Sequence, residues 1–477
     1  MSLEIMDKMR KRADLCAKLV NESENVHIIS HNDADGITSA AIAKTALGRR
    51  GIEHDVSFVR QIDEATIKSL CSDKSKLYLF TDLGSTVADY IVDSGIDAVI
   101  CDHHVLSGRS ENIEEKSKTL PGHLNPHIFG ANGSYEISGS GTTYLLARAL
   151  EEIPGQNKDL AAIAIVGAIG DMQNRKYRKL VSMNRIILEE GVEEGVLSYA
   201  LDLSLFGKQT RPVYKILQYT SDPYIPGLTG NEEGCINFLQ KLSVGYSRND
   251  GAKLWIELSD EEKQKIVSGL MGYCLNLNFK THKLESLVQE CYTLVNEKPG
   301  SELRDASEYA TLLNSTGRYD KAEIGMAVCI GNREEALKHA RTLLSEHRKN
   351  LVNGLNFVKD SGITQMENIQ YFYSGTEIKD TIVGIIASMS SSLEGTDRKK
   401  PIIGLANSED GIKVSARGTQ ELIRRGLNLS TAMSEVSDIV GGTGGGHDIA
   451  AGATIPEDSL QTFLTLLDEY IGEQMSA

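Results

Sequence analysis

VHIISHNDADGITSAAIAK, residues 26–44, is the stretch that decides the fold. Residues 26–30 form a short apolar run rich in β-branched side chains, which is typical of a buried strand. The polar turn HNDADG follows, and the next residues show helical spacing and strong helix formers up to Gly51. A strand, a polar loop and a helix in this order predict the repeating unit of a parallel α/β sheet.

The same unit recurs along the first third of the chain. Further strands are predicted at 54–60, 76–84 and 97–104, and helical segments follow the first two of them. Four such units predict a mostly parallel sheet that is covered on both faces. Ligands of such sheets bind beyond the carboxyl ends of the strands, so the polar residues at those ends are the candidates for function.

The whole chain is predicted to be an α/β protein with three parts. Residues 1–185 form the first domain, which includes a Gly-, Ser- and Asn-rich loop at 121–142 and a buried helix at 159–170. Residues 186–365 are predicted to be a mainly helical connector or inserted domain, and residues 366–477 a smaller mixed α/β domain. We expect the active site in the cleft between the two α/β domains.

The composition favours a cytoplasmic protein. Among 477 residues, 50 Lys+Arg stand against 66 Asp+Glu, a net charge of −16, and no apolar run reaches the roughly 20 residues of a membrane span. Charges interrupt the first 20 residues, so no signal peptide is expected. Seven cysteines without a CxxC pair predict buried thiols. The acidic balance argues against a diffuse surface for coating nucleic acid, but not against a localised strand-binding groove.

Carboxylates and histidines cluster at the ends of the predicted strands. Asp33 and Asp35 lie two residues apart beyond the first strand, and if this segment stays extended both project to the side that carries His31. Two carboxylates and an imidazole in this arrangement can ligate neighbouring metal ions. Asp-rich turns also occur for helix capping, so this motif taken alone leaves both interpretations open.

Further candidates follow the same positional rule. Asp82 ends the third strand, where a lone Asp is more often a helix N-cap. Asp102, His103 and His104 follow the fourth strand, and two adjacent imidazoles with a carboxylate are best explained by metal and phosphate ligation. Asp171 follows the buried helix, and the alternative role there is that of helix punctuation.

The set of donors indicates the metal and the chemistry. Hard oxygen donors with imidazoles and no thiolate favour Mn²⁺ or Mg²⁺ over structural zinc. Two such ions about 3.5–4 Å apart activate a water and stabilise the leaving oxygen of a phosphoester. The residues therefore converge on metal-dependent phosphoester hydrolysis.

Four motifs in a fixed order resemble those of the DHH phosphoesterase superfamily: HNDADG (31–36), TDLG (81–84), CDHH (101–104) and IGD (169–171). GGTGGGHDIAAGA (441–453) resembles the signature of the accessory DHHA1 domain. The resemblance implies two metal ions, bridged by Asp82, and a ligand set of Asp33, Asp35, Asp82, His103 and Asp171, with His31 as a further ligand. It also implies that His104 meets the scissile phosphate and that Asp102 orients the histidine pair.

The second α/β domain contributes phosphate contacts by the same resemblance. The implied set is Ser415, Arg417, Gly444, Gly445, Gly446 and His447. Glycines let the backbone approach phosphate closely, and Arg417 offers a planar fork that would neutralise developing charge together with His104. The alternative is that the glycines pack tight turns and the arginine is only solvated.

Within the superfamily, the chain is most similar to RecJ-like single-strand exonucleases of the archaeal branch. The opening HNDADGITSAAI, LNPH (124–127) and PYIPGLTGN (223–231) carry this similarity. It implies an active exonuclease on single-stranded DNA or RNA that releases nucleoside monophosphates in replication or repair, with the replication factor GINS as a candidate partner. Members of this branch also resemble an inactive subunit of the eukaryotic replicative helicase.

Two alternatives to the exonuclease stay open. One is a small-substrate phosphodiesterase acting on oligoribonucleotides or cyclic dinucleotides, and the other is a non-catalytic replication scaffold. About 20 residues follow GATI (452–455), so no OB-type domain is expected after it. The motifs do not determine the direction of digestion or the choice between DNA and RNA.

Overall fold

The structure, a computed structural model, describes residues 2–106, 120–220, 223–244, 246–247, 251–391, 393 and 395–476. The chain forms two compact units, Met1–Arg341 and Thr342–Ala477. Each unit combines a sheet with helices, which confirms the predicted α/β class.

The first unit is built on a parallel sheet. Its five strands are β1 Asn25–His31, β2 Glu53–Val59, β3 Leu77–Thr81, β4 Ala98–Cys101 and β5 His123–Leu124. They are ordered β2-β1-β3-β4-β5, and every neighbouring pair runs parallel. The four strands predicted from the sequence are β1 to β4, and all residues of β3 and β4 are buried.

Seven helices surround this sheet among the described residues: α1 Ser2–Asn21, α2 Ala34–Arg49, α3 Glu64–Leu70, α4 Ala88–Ser94, α5 Gly139–Ala149, α6 Ala161–Gly170 and α7 Ser182–Glu193. The loop predicted at 121–142 is shorter than expected, because β5 lies within it and Ser138 caps α5 by accepting from the Gly141 N–H at 3.1 Å. The small, apolar helix α2 packs against α5 and α6. This packing brings the loops before α2 and α5 close together.

The segment after α7 contains a ribbon that the sequence did not predict. β6 Leu197–Leu203 and β9 Val288–Leu294 pair antiparallel, so the description of this region as mainly helical was incomplete. The other elements are α8 Val213–Gln218, α9 Glu232–Lys241, β7 Tyr246–Ser247, β8 Gly251–Ala252, α10 Asp260–Asn276 and α11 Thr281–Glu285. They share a hydrophobic core in which Trp255 is buried.

Two later helices return to the parallel-sheet region. α12 Ala306–Gly317 packs on α2 and α6, and α13 Ala322–Cys329 packs on α2 and α12. The next helix, α14 Glu335–Ser361, crosses the division between the units. The boundary predicted at residue 185 falls inside α7, and the three-part division of the chain stays a prediction.

The second unit contains a six-stranded mixed sheet. Its strands are β10 Thr364–Gln365, β11 Gln370–Tyr373, β12 Ile402–Ser408, β13 Gly411–Arg417, β14 Thr443–Gly446 and β15 Ala450–Ile455. The order is β10-β11-β12-β13-β15-β14, in which β11 and β12 are parallel and the other pairs are antiparallel. The helices after α14 are α15 Asp380–Ser390, α16 Gln420–Arg424, α17 Leu429–Ile439 and α18 Leu460–Ser476.

The cysteines and the helices agree with the sequence-based expectations in part. All seven cysteines are unbridged, and five are buried as predicted, but Cys291 and Cys329 are partly exposed. Across the described residues, every helix is too short or too polar to cross a membrane.

A pair of adjacent glycines in β14 provides a test of this fold. A Cβ atom at Gly444 would lie 2.4 Å from the Met433 carbonyl oxygen of α17, whereas one at Gly445 would meet nothing within 4 Å. We expect Gly444→Ala to lower the free energy of unfolding by about 1–3 kcal/mol, because the helix must move away from the strand. Gly445→Ala should change it by less than about 0.5 kcal/mol. Denaturant unfolding checks both values, and equal losses would contradict the described packing.

Candidate metal centre

The predicted site residues of the first unit come together at one edge of the parallel sheet. His31 is the last residue of β1, Asp82 follows β3, and Asp102 follows β4. Because these strands are parallel and adjacent, their carboxyl ends lie side by side. The sheet topology therefore gathers side chains that lie far apart in the sequence.

The turn HNDADG is not extended as expected. Asp33 is the N-cap of α2 and accepts a hydrogen bond from the Gly36 N–H at 3.0 Å, and Asp35 already lies in the first helical turn. The two carboxylates therefore enter different clusters. The capping role and the metal-binding role, treated above as alternatives, are compatible for Asp33, because capping uses one oxygen and leaves the other near His31.

Two groups of donors lie on either side of Asp82. In the first group, His31 Nδ1 lies 3.1 Å from Asp33 Oδ2 and 3.6 Å from Asp82 Oδ2. In the second group, His103 Nε2 lies 3.2 Å from Asp82 Oδ1 and 3.7 Å from Asp35 Oδ2. Asp171 completes the second group, with Oδ2 3.9 Å from His103 Nδ1. Asp82 thus turns one carboxylate oxygen toward each group.

Asp82 is held in an unusual conformation for a residue with a side chain. Its φ is 59°, in the left-handed region, and its side chain is almost completely buried. Gly139, at the start of α5, lies so close that a Cβ atom there would be 2.3 Å from Asp82 Oδ1. Oδ1 has no hydrogen-bond partner among the described residues. A buried carboxylate oxygen that accepts no hydrogen bond and has only the imidazole of His103 beside it is costly, so this atom fits a metal ligand and not a helix cap.

The charges of the centre are also those of a cation site. Burial raises the pKa of Asp35, and the negative charge of Asp82 raises it further. Burial likewise raises the pKa of Asp171. Carboxylates crowded in a buried place resist ionisation unless positive charge balances them. Divalent cations would supply that charge, and the oxygen and imidazole donors match Mn²⁺ or Mg²⁺.

The backbone holds Asp35 in place. Its Oδ2 accepts from the Gly139 N–H at 2.7 Å, and its Oδ1 accepts from the Ser140 N–H at 2.9 Å. Both donors belong to the first turn of α5, where backbone N–H groups lack helical partners. The first turn of α5 therefore positions Asp35, and Gly139 in the same turn lies against the Asp82 carboxylate.

A buried amide network positions the second group. His103 donates from Nδ1 to the Gly133 carbonyl at 2.7 Å, which directs Nε2 toward the carboxylates. Gln173 donates from Nε2 to the same carbonyl at 2.7 Å and to Asp171 Oδ2 at 2.8 Å. Asn184 donates to Gln173 Oε1 at 2.9 Å, which fixes the orientation of the glutamine amide. One side chain, Gln173, thus links the two ligands His103 and Asp171.

Asp102 differs from Asp82 because both of its carboxylate oxygens accept hydrogen bonds from the protein. Its Oδ1 accepts from the N–H of His103 at 2.7 Å and from His104 Nδ1 at 2.7 Å, and its Oδ2 accepts from the Ser85 N–H at 3.0 Å. Burial lowers the pKa of His104, but the hydrogen bond and charge of Asp102 raise it to about 9. Asp102 therefore fixes the ring of His104 and favours its protonated form, whereas the ring of His103 is held by the Gly133 carbonyl; the orientation of both histidines by Asp102 stays a prediction.

His104 lies at a small cavity beside the first group. The cavity measures about 150 Å³, and Arg60, Asp82, His31 and His104 are among its lining residues. The His104 side chain is half exposed, so its Nε2 edge is accessible from this cavity. Arg60 forms an ion pair with Asp320. A phosphate in the cavity would meet two cationic side chains next to the carboxylates.

Three of the residues predicted in the second unit, Ser415, Arg417 and Gly445, share one face of its sheet, whereas Gly444 faces α17 on the other side. Ser415 and Arg417 are two residues apart on β13, and the register aligns Ser415 with Gly452 of β15, which aligns with Gly445 of β14. α15 covers part of this face, because a Cβ atom at Gly384 would lie 3.1 Å from Ser415 Oγ and 2.4 Å from Arg417 Nη2.

The glycines of this set form a strand, so the tight turn that was the alternative to phosphate binding is wrong. Gly444, Gly445 and Gly446 belong to β14, at the edge of the sheet. His447 follows the strand, and its N–H donates to the Ala450 carbonyl at 2.9 Å. The backbone is open beside Gly445, where an added Cβ would meet no atom within 4 Å.

Sequence reasoning missed the residues that support the ligands. Gln173 and Asn184 carried no motif signal, because an amide that links two ligands is recognisable only once the chain is folded. Gly133 and Gly139 lie in the loop noted as rich in Gly, Ser and Asn, so its composition was the one available signal. Arg60 directly follows β2 and could have been found from the strand-end rule that selected Asp82.

Comparisons with known proteins define the class. Residues 25–168 match the DHH family, N-terminal domain; residues 205–288 match the DHH-CID domain; and residues 368–473 match the DHHA1 domain. Together these three matches define a protein of the DHH class. The chain belongs to the DHH phosphoesterase superfamily and is RecJ-like within it.

Two relatives show the extent of the similarity. The uncharacterized protein MJ0831 of Methanocaldococcus jannaschii is 34% identical over 461 residues, which are 96% of each chain. The single-stranded-DNA-specific exonuclease RecJ of Bacillus subtilis is 27% identical over 202 residues, which are 39% of this chain and 23% of that protein.

Two solved structures share the fold. RecJ from Thermus thermophilus, in complex with Mn²⁺, gives a TM-score of 0.59 at 17% identity; the alignment covers 98% of this chain and 55% of that one. CDC45 from Entamoeba histolytica gives a TM-score of 0.65 at 13% identity, with 99% and 98% covered. At these identities the likeness establishes the fold alone.

The role of Gln173 can be tested by exchanging its amide. Gln173→Glu keeps the shape but places a carboxylate against the Gly133 carbonyl and Asp171, so we expect the Mn²⁺ affinity of the second group to fall about 10- to 100-fold. Gln370→Glu is the matched control, because Gln370 is equally buried and donates to backbone carbonyls in the second unit. Titration of Mn²⁺ followed by electron paramagnetic resonance measures both affinities. The same affinity in both variants would refute the role of Gln173.

Proposed function

We propose that this chain is a metal-dependent exonuclease that hydrolyses single-stranded DNA or RNA and releases nucleoside monophosphates. The observation that carries the proposal is the position of Asp82, whose two oxygens face two separate groups of donors. A carboxylate in that position can bridge two ions, and a pair of ions supplies an activated water and neutralises the charge of a phosphodiester under attack. We propose Asp33, Asp35, Asp82, His31, His103 and Asp171 as the ligands.

The residues around the ligands have complementary roles in this proposal. His104 donates from its outer nitrogen to a nonbridging oxygen of the scissile phosphate, and its charge offsets the charge that develops there. Asp102 fixes the ring of His104 through the 2.7 Å hydrogen bond at Nδ1. The second unit binds backbone phosphates of the nucleic acid through Ser415, Arg417, Gly445 and the residues that flank Gly445 in β14. The open edge at Gly445 admits close contact between phosphate and the protein backbone.

The biological setting is also a proposal. The motif resemblance to the archaeal RecJ-like branch supports a role in replication or repair in the cytoplasm, with GINS as a partner. The match of residues 205–288 to the DHH-CID domain lies within residues 186–365, which we expected to form a connector or an inserted domain.

A non-catalytic scaffold is the second candidate, and the likeness of the fold to CDC45 favours it. The buried carboxylates argue against it, because a scaffold has no need to bury the charges of Asp35 and Asp82 beside each other. Hydrolysis of small substrates such as dinucleotides is the third candidate.

One assay separates the three candidates. The full-length protein is incubated with Mn²⁺ or Mg²⁺ and with single strands, duplexes or dinucleotides that carry a label at one end. The proposal predicts that single strands of DNA, of RNA or of both are degraded to mononucleotides. Cleavage of dinucleotides alone would favour the small-substrate enzyme, and no cleavage with either metal would favour the scaffold.

Substitution of Asp82 tests the bridging role. Asp82→Asn should lower kcat on single strands at least about 10³-fold, because neither group of donors keeps its shared carboxylate. The fold should be retained: in EDTA the midpoint of thermal unfolding should equal or exceed that of the unchanged protein, since one of the crowded charges is removed.

The control for this substitution is Asp63→Asn. Asp63 follows β2 at the same sheet edge and caps α3, and asparagine is an equally good N-cap. We expect full cleavage by Asp63→Asn and a Mn²⁺-dependent rise of the unfolding midpoint that Asp82→Asn lacks. Retained turnover in Asp82→Asn would refute the assignment.

A further inference from the structure

A short basic segment lies directly beside the metal centre. Residues 175–179, RKYRK, contain four cationic side chains and a tyrosine in a chain whose net charge is −16. They belong to the connection between α6, which ends at Gly170, and α7, which begins at Ser182. The segment starts four residues after Asp171, so it lies close in the sequence to a member of the second group of donors.

An aromatic and cationic cluster forms at this segment, which we call the Tyr135–Lys176–Tyr177 cluster. Lys176 Nζ lies 3.7 Å from the ring centroid of Tyr135 and 5.2 Å from that of Tyr177. The two rings meet edge to face, with centroids 5.6 Å apart. Tyr177 is 46% exposed. Part of its ring is therefore accessible to a ligand.

Both sides of the cluster are anchored to the centre. Tyr135 follows Gly133 by two residues, and the Gly133 carbonyl accepts from His103 and Gln173. On the other side, Gln173 itself precedes Lys176 by three residues. The cluster therefore adjoins the network that orients His103 and Asp171.

The connection is fixed and not a loosely attached loop. The Arg178 carbonyl accepts from the Glu290 N–H at 3.0 Å, and the Leu180 N–H donates to Tyr292 Oη at 2.7 Å. Met172 and Arg178 both have positive φ values, 56° and 57°, which such residues adopt only where the surroundings impose them. Arg178 is also paired with Glu285 at 3.0 Å. Its charge is thus partly balanced, and the argument below rests on Lys176 and Lys179.

We propose that the Tyr135–Lys176–Tyr177 cluster binds the single-stranded substrate next to the scissile phosphate, with Tyr177 stacking on a base and Lys176 and Lys179 contacting backbone phosphates. The proposal rests on the proposed function and extends it to the recognition of the strand. Exposed aromatic rings combined with cations are the feature by which proteins bind single strands without sequence preference. A polyanion also fits the local charge, which is opposite to that of the rest of the chain.

A second lysine and tyrosine cluster in the chain offers a matched control. Lys215 Nζ lies 5.1 Å from the ring centroid of Tyr214 and 5.4 Å from that of Tyr219, which is 57% exposed. These residues lie on α8 or at its end, in the region that matches the DHH-CID domain. The second cluster also combines a lysine with two tyrosines, of which Tyr219 is the closer match to Tyr177 because Lys215 is ion-paired with Glu232, and it does not adjoin the ligand network.

The experiment measures binding without cleavage. The parent protein is the full chain with Asp82→Asn, and three further variants add Tyr177→Ala, Lys176→Gln or Lys179→Gln to this parent. The affinity of each protein for a fluorescent 20-nucleotide single strand is measured at several salt concentrations. We expect Tyr177→Ala to weaken binding about tenfold. Each lysine substitution should reduce the slope of log K against log salt by about 0.7. Tyr219→Ala and Lys215→Gln should leave affinity and slope unchanged.

The outcomes distinguish this inference from the proposed function. If the unchanged protein cleaves single strands but Tyr177→Ala and the lysine variants bind as tightly as the parent, the inference is wrong and the proposed function stands. If the Tyr219 and Lys215 variants lose as much affinity as the Tyr177 and Lys176 variants, strand binding is not localised at the centre and the inference is also wrong. If the unchanged protein neither cleaves nor binds single strands, the proposed function fails and the inference fails with it. Thermal unfolding of each variant verifies that its fold is retained.

Discussion

The structure depends on one constraint, the burial of the Asp82 carboxylate between two groups of candidate metal donors. The carboxylate cannot move away, because Gly139 closes one side of it and its backbone is fixed in the left-handed region. Its Oδ1 atom has lost water and gained no hydrogen bond from the described residues. Positive charge stabilises such an arrangement: the imidazoles of His31 and His103 lie within 4 Å of the Asp82 oxygens, and bound cations would add to their effect.

The supporting residues divide into two kinds around this constraint. Asp102 is buried but satisfied by backbone and imidazole donors, so it orients other groups. Asp35 is held by the N–H groups that begin α5, and its raised pKa reflects burial and then the nearby Asp82. Gln173 joins Asp171 to the Gly133 carbonyl, which also accepts from His103. The ligands are thus fixed by elements from across the first unit before any ion binds, as preorganised sites require.

The sequence allowed prediction of much of this centre because the carboxyl ends of parallel strands are recognisable from local patterns. β1, β3 and β4 each ended in a polar motif, and these motifs do come together. The separation of Asp33 from Asp35 was not predictable in this way, since it depends on where α2 begins. The pairing of β6 with β9 was missed for a similar reason, because the partners lie far apart in the sequence. The glycines 444–446 were recognised as a motif, but only the neighbouring strand β15 shows that they form an edge strand.

The most direct test of the account is a crystal structure of the chain grown with Mn²⁺, with anomalous scattering measured at the manganese edge. The account predicts two anomalous peaks on opposite sides of the Asp82 carboxylate, one near His31 and Asp33 and the other near Asp35, His103 and Asp171. A map with no peak at this carboxylate, or with a single ion that Asp82 does not contact, would contradict it.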